Sequence, residues 1–372
     1  MLIKEVKYCY DDVMVVPSAV SNVEHRSDCN PYIGNNLKKK LPIFTAPMST
    51  VVCENNFNIF EQNGITPILP RNISLETRIE YTKNGKWVAF GLDEFENLFL
   101  KNDWDMQTYP DVKVLIDAAN GHMSKLHYVV YDTKVKYNWQ PRFNIMVGNI
   151  SNPQAYEYIA RAGADYVRLS IGTGFGCLTA TNCGVGYGIA SLIDETYQVK
   201  RKLNHIGQHT PYIIADGGIR NYSDIIKALA LGADFVMIGS VFASLVESAS
   251  TPFTDNNGLT ASYDQFEQKI EHIGGNRFLI DNDYIISDLK KEFYGMASRR
   301  GQEDMKGEKT RTSEGVEKVI NVTTNINKWV ENMASYIQST MSYTNCFYLD
   351  DFTPDNVDCV IISEQTKKSI NK

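Results

Sequence analysis

The feature that most constrains this chain is a series of eight short apolar runs, at 42–46, 65–69, 87–92, 112–116, 143–147, 166–171, 212–215 and 235–238. They are rich in Val, Ile, Phe and Tyr and do not alternate apolar with polar, the pattern of strands covered on both faces. Most intervening stretches carry a helical period; in 151–162, Ala155, Ile159 and Ala162 fall on one side. The weakest of them is 93–111, where the helix signal is poor. Eight buried strands alternating with helices predict an α/β fold, a closed parallel (β/α)8 TIM barrel. After the eighth strand, the polar stretch 252–288 carries the turn signals Asn256, Asn257, Gly258 and Gly274, Gly275, Asn276, and predicts an insertion with hairpin character. The stretch 292–315 reads as loop. A helix is expected over 316–341, so that 316–372 forms a C-terminal helix and tail on one catalytic domain spanning 1–372.

With 372 residues, 43% hydrophobic and 22% charged, the chain is long enough for one large core. A net charge of −7 gives no basic footprint, so nucleic acid is not an expected partner. The seven cysteines include no CxxC pair, and Cys177 and Cys183 lack a nearby histidine, so reduced thiols are expected rather than disulfides or zinc. The opening MLIKEVKYCYDD has no apolar signal core, and no apolar run approaches a membrane span. A soluble, cytoplasmic protein with no membrane partner is the expectation.

In a barrel of this kind the chemistry sits where strands end and the following loops begin. Small and polar residues collect at six of those eight ends: Ala46 to Ser49, Asp117 to His122, Gly148 and Asn149, Gly172 to Cys177, Asp216 to Gly218, and Gly239 with Ser240. The loop Gly172, Thr173, Gly174, Phe175, Gly176, Cys177 places a thiol after three glycines, where a thiolate can meet an electrophile. The plainer alternative is a small buried cysteine. Thr179 is within reach of the sulfur or of a leaving group. Gly217, Gly218, Gly239 and Ser240, on turns after the last two strands, suit a phosphate held by backbone amides, with tight turns as the alternative. Asp216 then accepts ribose hydroxyls, since an ionised carboxylate only accepts. His122 reads as a solvent-facing loop histidine and Cys183 as a bystander. Arg299 and Arg300 read as a solvated face.

These motifs resemble, in order, those of the IMP dehydrogenase/GMP reductase family: Tyr10, Asp11, Asp12, Val13 to Pro17; Ala46 to Val51; Asp117 to Gly121; Gly148 and Asn149; the cysteine loop with Gly184 to Tyr187; Ala215 to Gly218; Val236 to Ser240; Phe293 to Met296; and Ser313 to Gly315. The resemblance spans nearly the whole chain. It implies a barrel, Cys177 as nucleophile at purine C2, and a purine nucleoside monophosphate as substrate. Asp216, Gly217, Gly218, Gly239, Ser240, Tyr294, Met296, Ala297, Ser313 and Gly315 would hold that substrate. A nicotinamide cofactor is implied beside Arg71, Asp117, Ala118, Ala119, Gly148 and Asn149, with Arg71 where the family has a lysine. NADPH suits a reductase, and no short motif separates it from NADH. K+ at the carbonyls of Gly172, Gly174 and Cys177 is a further expectation without support from any side-chain pattern. A homotetramer is also implied.

Three features point to the reductase branch. The interval from Arg71 to Asp117 is too short for a tandem CBS regulatory domain, and 296–314 has little room for the flap that activates water in the dehydrogenases. The wording around Tyr294, Ser313, Glu314 and Gly184 to Tyr187 is also that of reductases. Reductive deamination of GMP, or of a related guanine nucleotide such as dGMP, to IMP is the expected activity, with Thr179 and Glu314 protonating the departing ammonia. An IMP dehydrogenase without the CBS domain, and a binding-only relative, are the alternatives. Other features depart from the family pattern: Phe175 stands where the family has a phosphate-binding serine, the family's Cys-Thr-Thr-Arg reads Cys177, Leu178, Thr179, Ala180 here, and the 252–288 insertion is longer than a reductase's. The ring at 175 is expected to alter the phosphate pocket.

Overall fold

A computed structural model describes residues 4–34, 39–256, 259–306 and 312–370. Strand β1 (Val13–Val15) lies outside the barrel. Then β2 (Ile43–Thr45), β3 (Trp87–Phe90), β4 (Val112–Ile116), β5 (Phe143–Ile150), β6 (Tyr166–Leu169), β7 (Tyr212–Asp216) and β8 (Phe235–Ile238) form one parallel sheet in the order β2-β8-β7-β6-β5-β4-β3. The expected strand at 65–69 is present only as isolated bridges, Phe44 to Thr66 and Leu69 to Val88, and these join the two edges of the sheet. Thr66 N–H donates to Ile43 O at 2.9 Å and Leu69 N–H to Trp87 O at 3.0 Å. The sheet is therefore a closed eight-membered barrel.

Two cores follow from closure. Inside, Phe44, Ala46, Ile68, Trp87, Ala89, Leu115, Met146, Ile214 and Met237 are buried together, with Tyr166 and Phe235 packed against them, so every barrel strand contributes. Edge-on contacts of Phe44 with Trp87, Tyr166 and Phe235 fill one end. Outside, the alternate strand residues Ile43, Val88, Val114, Ile145, Val167, Ile213 and Val236 meet the helix layer. The helix expected at 151–162 begins later, at Ala155–Ala162, and buries Ala155, Ile159 and Ala162. The weak stretch after β3 holds a short helix, Leu92–Phe95, running into a π-helical turn, Glu96–Lys101. Phe95 and Phe99 anchor it against Phe143, too brief a pattern to register as a helical period. No described helix is long and apolar enough to cross a membrane.

Beyond the barrel the insertion has the hairpins expected, whereas the loop and the helix that follow it differ from expectation. The polar stretch carries β9 (Phe253–Asn256), β10 (Leu259–Ser262), β11 (Ile270–Gly274), β12 (Arg277–Ile280) and β13 (Tyr284–Ser287). The stretch read as loop contains β14 (Lys290–Tyr294) and a helix, Arg299–Lys306. The helix expected over 316–341 begins as a strand, β15 (Glu317–Asn321), which pairs with β14; the helix proper is Ile326–Tyr343, capped by Asn325. β-branched Val319 and Ile320 favour the strand, and their apolar spacing had merged with that of the helix. Near the end of the chain, β16 (Cys359–Ile361) pairs antiparallel with β1.

β14 is pinned by Lys291, whose side chain is wholly buried and donates to Val246 O, Ser248 O and Ser248 Oγ at 2.7, 3.0 and 2.8 Å. Burial pulls this ammonium from 10.5 down to about 7, outweighing the Glu247 carboxylate. Unfolding restores the higher value, so between those limits the unfolded chain binds the extra proton and stability rises with pH. Urea titrations of the protein and of Lys291→Met should show wild-type stability gaining on the variant from pH 7 to about 9. The expected slope is at most about 1.4 kcal/mol per pH unit; a flat difference would contradict the assignment.

Candidate active site

Parallel strands deliver their C-terminal ends to one rim, where the loop after β6 ends at Cys177. Cys177 N–H donates to Gly174 O at 2.9 Å, closing a turn. The next residues form a small two-stranded contact with a distant segment. Cys177 bridges antiparallel to Gly315, Leu178 N–H donates to Glu314 O at 2.7 Å, and Val316 N–H donates to Gly176 O at 3.1 Å. This contact brings together side chains 135 residues apart. The Cys177 thiol donates to Thr179 Oγ1 at 3.3 Å, and the Thr179 hydroxyl donates to Glu314 Oε2 at 2.9 Å. All three side chains are partly exposed. A connected path thus runs from sulfur to carboxylate.

A third segment, Tyr294 to Ser298, completes the weave. Glu314 N–H donates to Ala297 O at 3.0 Å and Gly295 N–H to Val316 O at 3.0 Å. Gly315 must be glycine here, because a Cβ would fall 2.4 Å from Ser298 N. Ser313 Oγ donates to Gly315 O at 3.0 Å. The Met296 sulfur accepts from Ser49 N–H at 3.4 Å, tying this segment to the loop after β2. Tyr294 donates to Asp304 Oδ2 at 2.6 Å and carries the Arg300 guanidinium 4.9 Å above its ring.

The turns read as a phosphate site adjoin the cysteine loop. Gly217 has φ 128°, and a Cβ there would lie 3.0 Å from Ser170 Oγ and 3.1 Å from Thr173 Oγ1. The neighbouring Gly218 rests on the ring of Tyr10. Gly239 lies against the Met48 sulfur, and Ser240 opens the short helix Ser240–Ala243.

The family model described as IMP dehydrogenase / GMP reductase domain matches residues 7–266. The chain belongs to this family. Similar curated proteins include GMP reductase of Helicobacter pylori, 30% identical over 77% of this chain and 87% of its own length. GMP reductases of Clostridium acetobutylicum and Bacillus licheniformis are each 29% identical over 95% of both chains.

In this family member's barrel, one residue that the sequence motifs did not single out organises the strand ends below the cysteine loop. Arg168, 7% exposed on β6, bridges two carboxylates: Nη1 to Asp117 Oδ1 at 2.9 Å and Nε to Asp216 Oδ2 at 2.9 Å. Asn149 Nδ2 also donates to Asp216 Oδ2, at 2.7 Å. One oxygen of Asp216, Oδ2, is thus held by the side chains of two residues, Arg168 and Asn149. A charged residue inside an otherwise apolar strand was the available signal. Ala118 O accepts from Asn149 N–H at 3.1 Å, and Arg71 Nη1 donates to Asp117 O at 3.4 Å. Ala119 follows in the same turn without a side-chain role.

Other expectations resolve simply. His122 is exposed and its ring accepts from Ser151 N–H; partial burial, and then nearby His127, hold its pKa below the ordinary histidine value. Cys183 is exposed and free. Arg299 and Arg300 pair with Glu303 and Glu292 on a solvated face. The ring of Phe175 lies against that of Phe293. The segment 307–311, within the stretch judged too short for a flap, lies outside the described residues.

Removing one partner of a buried pair strands the other charge. Arg168→Met should leave Asp117 and Asp216 uncompensated and destabilise the protein by about 3–5 kcal/mol at neutral pH. Calorimetric unfolding checks this; a loss under about 1 kcal/mol would show that the bridge is replaceable.

Proposed function

We propose that this chain is a GMP reductase, converting GMP, or a close guanine nucleotide such as dGMP, to IMP and ammonia. The observation that carries the reading is the path from Cys177 through Thr179 to Glu314. As Cys177 Sγ bonds to purine C2, the C2=N3 π pair moves onto N3, and the thiol proton passes through the Thr179 hydroxyl to Glu314 Oε2. The N3 pair then re-forms C2=N3 as the C2–N2 bond breaks with its electrons on N2, which takes that proton back along the same path and departs as ammonia. After a hydride reaches C2, the C2–S bond breaks and the thiolate leaves with its electron pair, releasing IMP. The phosphate is placed on Gly217, Gly218, Gly239 and Ser240, with Tyr294 and Ser313 nearby, and the base between Met296, Ala297 and Gly315. The free oxygen of Asp216 remains for a ribose hydroxyl.

Arg71 Nε and Asn72 Oδ1 are buried with no hydrogen-bond partner among the described residues. Arg71 Nε lies 3.7 Å from Glu94 Oε2, so the acceptor left open is Asn72 Oδ1, which suits the N–H of a carboxamide; Arg71, Asp117, Ala118, Ala119, Gly148 and Asn149 are assigned to a nicotinamide cofactor, NADPH in this reading. When bound, it supplies the hydride. K+ at Gly172, Gly174 and Cys177 is kept outside the scheme: Gly174 O already accepts from Cys177 N–H. We further place the enzyme in the cytoplasm as a homotetramer.

The test is a panel of GMP, dGMP and IMP against NADPH, NADH and NAD. GMP-dependent NADPH oxidation should dominate, fall at least about 1000-fold in Cys177→Ala, and fall about 100-fold or more in Glu314→Gln. Dominant IMP oxidation with NAD would make the protein a dehydrogenase. No turnover and no Cys177 adduct with a 6-chloropurine nucleotide would make it a binding protein.

A further inference from the structure

The cysteine loop carries one bulky side chain that this chemistry does not use. Phe175, two residues before the thiol, is 45% exposed. Its ring sits 5.6 Å from that of Phe293, tilted by 53°, and the Lys318 ammonium lies 4.4 Å from its centroid. Phe293 and Lys318 are directly opposite each other in the β14–β15 ladder, so their side chains share one face of the strand pair. Phe293 is itself buried, and its ring also lies 3.2 Å from where a Cβ on Gly176 would be. One immobile ring therefore backs two consecutive loop residues, while a cation closes over the outer one. Aromatic packing and the attraction of a cation to a ring face both hold Phe175 there.

We propose that Phe175 is a positioning residue that clamps the cysteine loop onto the β14–β15 pair and so sets the Cys177 sulfur against Thr179 and Glu314. The segment that supplies Glu314 runs directly into β15, so the clamp joins the two halves of the proton path through the same strand pair. Where the family pattern has a serine directed at phosphate, this chain uses the position to fix the loop. The phosphate is then left to the glycine turns and their hydroxyl neighbours. The kinetic part of this inference rests on the reductase reading; the structural part does not.

Phe175→Ala, Phe175→Tyr and Lys318→Met test it. Two measurements need no turnover: the rate at which iodoacetamide alkylates Cys177, and amide hydrogen exchange across 172–178, both by peptide mass spectrometry. In Phe175→Ala the thiol should be alkylated about tenfold faster and the loop should exchange faster. Lys318→Met should shift the same way by about two- to threefold. Phe175→Tyr, which keeps the ring, should match the wild type. With GMP and NADPH, Phe175→Ala should lower kcat about tenfold with KM for the nucleotide within about threefold, the mark of misplaced chemistry rather than lost binding. Unchanged alkylation and exchange in Phe175→Ala, or a Tyr variant no better than Ala, would overturn the clamp. If the wild type does not turn over GMP, the reductase reading fails, and alkylation and exchange still judge the clamp.

Discussion

Closure of the barrel at residues 65–69 is the constraint on which the rest depends. That segment is too irregular to be a full strand, yet its two bridges join β2 to β3 and turn a seven-stranded sheet into a ring. Without them the interior side chains Phe44, Ile68 and Trp87 would face an open edge. With them, all the loops leaving strand C-termini converge on one rim. Ile68 N–H donates to Thr45 Oγ1, a side-chain substitute for a ladder bond where the backbone bends away.

Convergence alone would not organise chemistry. The cysteine loop, the Tyr294 to Ser298 segment and the Ser313 to Val316 segment are woven by backbone hydrogen bonds, and so need glycine where they pass. At the strand ends the organiser is electrostatic: one buried guanidinium on β6 holds the carboxylates of Asp117 and Asp216. The first arrangement tolerates little change in backbone and the second little change in charge.

The barrel was legible because its strands are covered on both faces, so each appears as an unbroken apolar run. Cys177, Thr179 and the strand-end glycines stand out for a related reason, since barrel loops carry small and polar residues that packing does not require, whereas Glu314 stands out only through the family resemblance. What lay beyond reach was tertiary in origin. Arg168 is uncharacteristic of a buried strand, and only Asp117 and Asp216, 51 and 48 residues away, explain it. The β14–β15 pair was read as loop and helix because its polar, partly exposed strands lack a clear alternation, and the register comes from pairing across the helix between them. The partners of Phe175, Phe293 and Lys318, are likewise invisible along the chain.

The pairing of β1 with β16 gives the site an unusual dependence. Tyr10, whose ring supports Gly218, belongs to a short arm held by Asp11 to Arg220, by the Lys227 ammonium on its own carbonyl, and by Lys367 on Asp12. Val13 meets Ile361 in register. Contacts of such sequence separation are slow to form, and on a ribosome the arm has no strand partner until residue 361 has emerged. The turn assigned to phosphate therefore gains its full support last, which couples ligand competence to completion of the fold rather than to formation of the barrel alone.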